Sequence, residues 1–134
     1  MPAESAIVTY LDTLLTETAG TDLFEGPAPE SPANCIAVAH YDSMEAQDRI
    51  MSGSLVNQQA VWPVMVQVMA RNTSKATAEA RARAAFDVLD NYSGTLSGVT
   101  YHSIEADGEP FNLGKDENER WRFVFNLKVE KQRG

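Results

Sequence analysis

Arg120-Trp121-Arg122-Phe123-Val124-Phe125-Asn126-Leu127-Lys128-Val129-Glu130 decides the fold of this chain, because its side chains alternate almost without interruption. Trp121, Phe123, Phe125, Leu127 and Val129 take one side, and Arg120, Arg122, Asn126, Lys128 and Glu130 the other, with Val124 alone breaking the polar row. A period of two is the signature of a strand with one buried face. Three of the five apolar residues are aromatic, each able to bury about 150 to 250 Å². This strand is therefore expected to supply the largest single share of the core.

The elements upstream read as what covers that face. Ile7, Tyr10, Leu11, Leu14, Leu15 and Thr18 recur at three and four, predicting an amphipathic helix from about Ala3 to Ala19, with Gly20 past its end. Thr21 to Ala33 holds Gly26, Pro27, Pro29 and Pro32 and reads as a stiff extended crossing. Strands are expected at Asn34 to Tyr41 and Val61 to Arg71, with Pro63 at a strand start or edge. Asn72, Thr73 and Ser74 can cap a helix from Lys75 to Tyr92, whose stripe is Ala78, Ala82, Ala85, Phe86, Leu89 and Tyr92. Arg83 is spaced to pair with Glu79 and Asp87 along it. A turn, a strand at Val99 to Ala106 and a polar loop at Asp107 to Glu119 lead back to the opening strand. The expectation is an α+β single domain, 1–134, of order αββαββ, with a four-stranded mainly antiparallel sheet and two helices on one face. A second long loop, Asp42 to Ala60, lacks a clear period, and loops of that length in compact domains are usually functional or mobile.

A chain of 134 residues suffices for one core. Its one cysteine, Cys35, permits no intrachain disulfide. The first residues resemble neither a secretory leader nor a membrane span. The net charge of -8 is lodged in residues 1 to 60, where Glu4, Asp12, Glu17, Asp22, Glu25, Glu30, Asp42, Glu45 and Asp48 face only Arg49. An acidic half does not grip phosphate, which argues against a nucleic-acid binder, although DNA can slide past such a surface without sticking.

Catalytic and metal patterns are missing. Gly108 to Asp116 has the wrong spacing for a phosphate loop, and Asp116 stands where Ser or Thr is required. Asp107, Glu109, Asp116, Glu117 and Glu119 do not follow the spacing of the helix-loop-helix calcium motif. His40 and His102 fall on different expected strands, and no Gly-x-Ser-x-Gly elbow occurs. No enzyme, metal or cofactor is expected.

Three phrases in order carry a resemblance. They are Leu23-Phe24-Glu25-Gly26-Pro27 followed by Ser31 to Val38; Pro63 to Arg71 leading into the alanine-rich helix; and Pro110-Phe111-Asn112-Leu113-Gly114-Lys115-Asp116-Glu117 before the aromatic strand. In that arrangement the chain resembles the phage minor capsid and tail-terminator proteins of long-tailed bacteriophages. The resemblance implies a non-enzymatic virion protein, assembled in the host cytoplasm, that forms a homo-oligomeric ring, a hexamer, on the head-proximal end of the tail tube. Such a ring ends tube polymerisation and joins the head-tail connector, with DNA passing through its lumen unbound and no membrane involved. Arg71, Arg120, Arg122 and Lys128 are candidates for pairing with acids of a neighbour, since an arginine fork can hold a carboxylate bidentately. Met44, Ile50, Met51 and Leu55 in one loop, and Asp116 and Glu117 in the other, are candidate docking residues. The alternatives are a head-closure or neck protein, and an α+β adaptor that adds a peptide strand at the edge carrying Pro63.

Overall fold

The computed structural model describes residues 3–15, 18–40, 61–96 and 98–132. Among them two helices and seven strands follow in the order α1 (Ala3–Leu14), β1 (Leu23–Glu25), β2 (Cys35–His40), β3 (Val61–Asn72), α2 (Lys75–Leu89), β4 (Tyr92–Leu96), β5 (Val99–Ala106), β6 (Phe111–Lys115) and β7 (Trp121–Gln132). The sheet runs β1-β2-β3-β7-β5-β4, and β6 also pairs with β7. β1 is parallel to β2, and the other pairings are antiparallel.

This curled, mixed sheet of seven strands overturns the expected four-stranded antiparallel sheet and its αββαββ order. The extra strands are β1, β4 and β6, and each owes its strand character to a pairing partner more than to a local period. β1 is three residues beside a proline-rich stretch, secured to β2 by Ile36 N–H on Asp22 O at 2.9 Å and Gly26 N–H on Val38 O at 2.7 Å. β4, Tyr-Ser-Gly-Thr-Leu, has turn composition but lies along β5. β6 sits inside the expected polar loop, where a bulge places Gly114 at φ 94°, a conformation that favours glycine.

β7 is the middle of the assembly. One edge pairs with β3 from Trp121 to Gln132. The other is shared, with Trp121 to Val124 taken by β6 and Leu127 to Lys131 by β5. Phe123, Phe125, Leu127 and Val129 join Val66, Val68 and Ala70 of β3 and Ile36 and Val38 of β2 in one core. α2 lays Ala78, Ala82, Ala85 and Leu89 on the same core, and the edge of Phe86 meets Phe125 at 5.8 Å between centroids. Methyl side chains along that stripe let the helix approach closely. Ser74 caps its start by accepting Thr77 N–H, and the helix stops at Leu89, so Tyr92 belongs to β4.

α1 touches β1, β2, β3 and β4, which lie at opposite ends of the strand order, so the sheet curls around it. Ala6, Ile7 and Leu11 are buried and Tyr10 meets Tyr92 of β4 at 4.8 Å. The helix ends at Leu14, short of Ala19, and Leu14 is left half exposed. Thr18 then accepts the N–H groups of Thr21, Asp22 and Leu23 in a tight turn. Arg83 reaches from α2 to Glu109 at 2.7 Å, with Asp87 and Glu79 near enough only to add to its field.

Phe125 is fully buried, paired with Val68 of β3 and packed against Phe86 of α2. Phe125→Ala is expected to lower unfolding free energy by about 3 to 5 kcal/mol, read by urea denaturation. Leu14→Ala, with its side chain half in water, is expected to cost under about 1 kcal/mol.

Candidate functional site

The sheet's second face carries the other row of β7, and there the chain has a cover of its own. Residues 26–34, between β1 and β2, run as a strap whose Ser31–Pro32 peptide is cis. Its prolines lack N–H groups, so their carbonyls are left for other donors. Arg71 of β3 supplies them: Nε donates to Ala33 O at 3.0 Å, and Nη2 donates to Pro32 O at 2.7 Å and to Pro29 O. Arg120 adds a second clasp through Nη1 to Glu30 O at 2.6 Å. Asn118 reaches Glu30 Oε1 at 3.2 Å. Arg71 is 5% and Arg120 8% exposed. Guanidiniums so nearly dry are tolerated because carbonyls and a carboxylate meet their N–H groups.

That carboxylate is Asp116, in the turn between β6 and β7. Its Oδ1 accepts Asn118 N–H at 2.9 Å and Arg120 N–H at 3.0 Å, while Oδ2 accepts Arg120 Nε at 2.7 Å. Glu119 closes the turn at φ 64°. Burial would raise the Asp116 pKa, but the backbone N–H groups of Arg120 and Asn118, then the Arg120 guanidinium, outweigh it and hold the carboxyl below its ordinary range. The chain from turn to strap is therefore Asp116, Arg120, Glu30.

Beneath the strap lies Cys35, opposite Arg71 in the β2–β3 register. Burial pushes its thiol pKa up, and the positive charges of Arg71 and Arg120 only partly oppose this. At neutral pH it is a protonated thiol, a poor nucleophile.

A different chemistry marks the end of the sheet where α2 begins. Lys75 and Lys115 both set their ammonium groups over the Trp121 ring, at 5.3 and 5.2 Å from its centroid. β6, which among the described residues pairs only with β7, carries half-exposed Phe111 and Leu113. On the opposite half of the chain, α1 and β1 gather carboxylates. Ser5 Oγ donates to Glu25 Oε2, Thr18 N–H to Asp22 Oδ1 at 2.6 Å, and Ala19 N–H to Asp12 Oδ1 at 3.4 Å.

The sequence-predicted residues therefore divide. Arg71, Arg120 and Asp116 come together, the two arginines on the strap and Asp116 on Arg120, with exposed Glu117 beside them at the same hollow. Arg122 is half-buried on the same face, opposite Arg71, and among the described residues makes only long 3.4 Å contacts to Gly114 O and Lys115 O. Lys128 is exposed, between Met65 and Glu105 in the register. Met44, Ile50, Met51 and Leu55 lie outside the described residues. Sequence reasoning overlooked the strap carbonyls and the Lys75, Trp121, Lys115 corner, whose members come from three elements. Phe111 and Leu113 did carry a signal, as alternating apolar residues in an otherwise polar stretch. Among the described residues, no group of three or more His, Cys, Asp and Glu is placed to hold a metal ion.

Arg71→Ala is expected to free the strap and make Cys35 react faster with an aromatic disulfide reagent. Arg71→Lys should behave similarly, since one ammonium cannot reproduce the fork. Equal thiol rates in wild type and both variants would exclude the clasp. The depressed Asp116 pKa implies a stabilisation complete above the ordinary carboxylate range and lost as pH falls through the folded value. From about pH 4 downward, wild type should lose melting temperature more steeply than Asp116→Asn.

A model of the bacteriophage tail terminator protein family matches residues 10–133. No individual curated protein matches the chain. Among the described residues no helix is long and apolar enough to cross a membrane. The match takes in the end of α1, all of α2, all seven strands and the strap, and on it the chain belongs to the bacteriophage tail terminator protein family, structural components of the virion that work through contact with other phage proteins.

Proposed function

We propose that this chain forms a ring on the head-proximal end of the phage tail tube, ends tube polymerisation there, and offers its outer surface to the head-tail connector. The observation that carries this reading is the family match across residues 10–133. Subunits of one kind close a ring through heterologous contacts when the rotation between neighbours divides a full turn, and we infer six. Assembly takes place in the host cytoplasm, with the tail tube protein and the connector protein as axial neighbours.

The docking surfaces in this reading are the 42–60 and 107–119 segments. Of the basic candidates, Arg122 and Lys128 have side chains available for a neighbour's acids, because Arg71 and Arg120 are occupied by the strap and Asp116. Acids of residues 1 to 60 face the lumen. Repulsion of DNA phosphates then keeps the ring from acting as a brake, over a range that salt limits to about 8 Å.

Purified protein mixed with tail tubes and viewed by electron microscopy should show tubes with one capped end and no further growth. Uncapped, still-growing tubes would exclude the terminator role. Arg122→Glu is expected to weaken the ring while leaving the monomer folded. An unchanged oligomer mass in light scattering removes Arg122 from the interface, and a ring with a basic lumen overturns the channel assignment.

A further inference from the structure

Arg71, 5% exposed, is held among the described residues by neutral partners alone. Its Nε and Nη2 donate to strap carbonyls, and no described group accepts from Nη1. Arg120, the other buried arginine, has Asp116 as a counter-ion at 2.7 Å, whereas among the described residues no carboxylate pairs with Arg71. Carbonyl oxygens satisfy N–H groups without cancelling the charge, and a cation withdrawn from water without a counter-charge is costly. Nη1 is thus a charged donor that an anion would satisfy.

Arg71 lines two hollows of different charge. One, beside the β6–β7 turn, it shares with Glu30, Asp116, Glu117 and Arg120, so three carboxylates outnumber two guanidiniums. The other is a polar hollow of about 230 Å³ where β2 starts and β3 ends, lined by Arg71, Arg81 of α2, Asn34 and Asn72, with Asp22 and the Cys35 thiol in its wall. Here two guanidiniums outnumber one carboxylate, and Asp22 already has one oxygen on Thr18 N–H at 2.6 Å. An anion is repelled from the first hollow and drawn to the second.

The two carboxamides complete the donor set. Asn34 Oδ1 accepts Thr73 N–H at 3.0 Å, and Asn72 Oδ1 accepts Ser74 N–H at 2.9 Å. With each oxygen fixed on the backbone, the NH2 end of each amide is the end left over, and no described residue accepts from it. Guanidinium and amide N–H groups gathered in this way suit oxygen acceptors that carry charge. The volume holds a four-oxygen anion and several waters, each water taking about 30 Å³.

We propose that this hollow binds a small free oxyanion, of phosphate or carboxylate type, through Arg71 Nη1 and Arg81, with Asn34 and Asn72 as neutral donors. Because the same Arg71 guanidinium clasps the strap, the anion fixes the strap to this end of the sheet. None of the lining residues belongs to the 42–60 or 107–119 segments, so the site stands whether or not the chain forms a ring.

The test titrates the full chain with inorganic phosphate and, in a second arm, with acetate, at an ionic strength held constant with chloride. At least one arm should raise the wild-type melting temperature saturably, on the order of 3 °C, with one site per chain in calorimetric titration. The arm that responds tells a tetrahedral anion from a planar one. Asn72→Asp keeps the oxygen that accepts Ser74 N–H while setting a negative charge in the hollow, and should weaken binding by about tenfold or more. Arg81→Gln removes a positive charge from the same wall and should weaken it by about as much. Circular dichroism checks the fold of both, and if one fails to fold the other decides. No saturable response in either arm, or the same response to chloride alone, overturns the site. Wild-type affinity in a folded variant overturns it too, because the anion then sits elsewhere.

Discussion

The antiparallel ladder between β3 and β7 is the constraint on which the other contacts depend. Two strands pairing from Val61–Gln132 to Asn72–Trp121 lock their register, since a one-residue slip would turn Phe123, Phe125 and Leu127 to the wrong face. With that register set, one face of the pair is apolar enough to hold both helices. Arg71, Arg120 and Arg122 are gathered at one end of the other face. The short strands β1, β4 and β6 add to a framework that already exists, which is why they can contain or adjoin Gly26, Gly94, Pro110 and Gly114 and still be strands.

The proline-rich strap shows how a sequence with little intrinsic structure is held on such a framework. Proline reduces the entropy lost on fixing the path but removes backbone donors. The carbonyls that remain need partners, and two arginines projecting from neighbouring strands provide them. The same bonds let the guanidiniums stay charged while nearly buried. Asp116 sits one step further out, fixing Arg120 through two hydrogen bonds and accepting Asn118 N–H in a third, which together build the β6–β7 turn. Local turn chemistry and long-range fastening are in this way one unit.

For a protein that works by contact, the arrangement of surface types matters more than any single residue. The arginines that look most suited to reaching a partner in sequence are turned inward to the strap. The groups that remain outside include a lysine-flanked tryptophan where α2 begins and the half-exposed side chains of Leu14, Phe111 and Leu113.

The sequence by itself determined the central strand, its buried aromatic row, the alanine face of α2 and the concentration of acid in the first 60 residues. Those features are local: a period of two or 3.6, or a simple count, is complete within one segment. Its ordered phrases also pointed to the family that the later comparison found. Only the tertiary structure decided that seven strands form the sheet, that α1 closes the curl between β1 and β4, and that Arg71 and Arg120 serve the strap. Each of these depends on what a segment meets after folding. The chain beside β1, β4 or β6 supplies the hydrogen bonds that their composition alone would not predict. An arginine's destination is likewise set by which carbonyls arrive within 3.0 Å of it, and these lie up to 90 residues away in sequence.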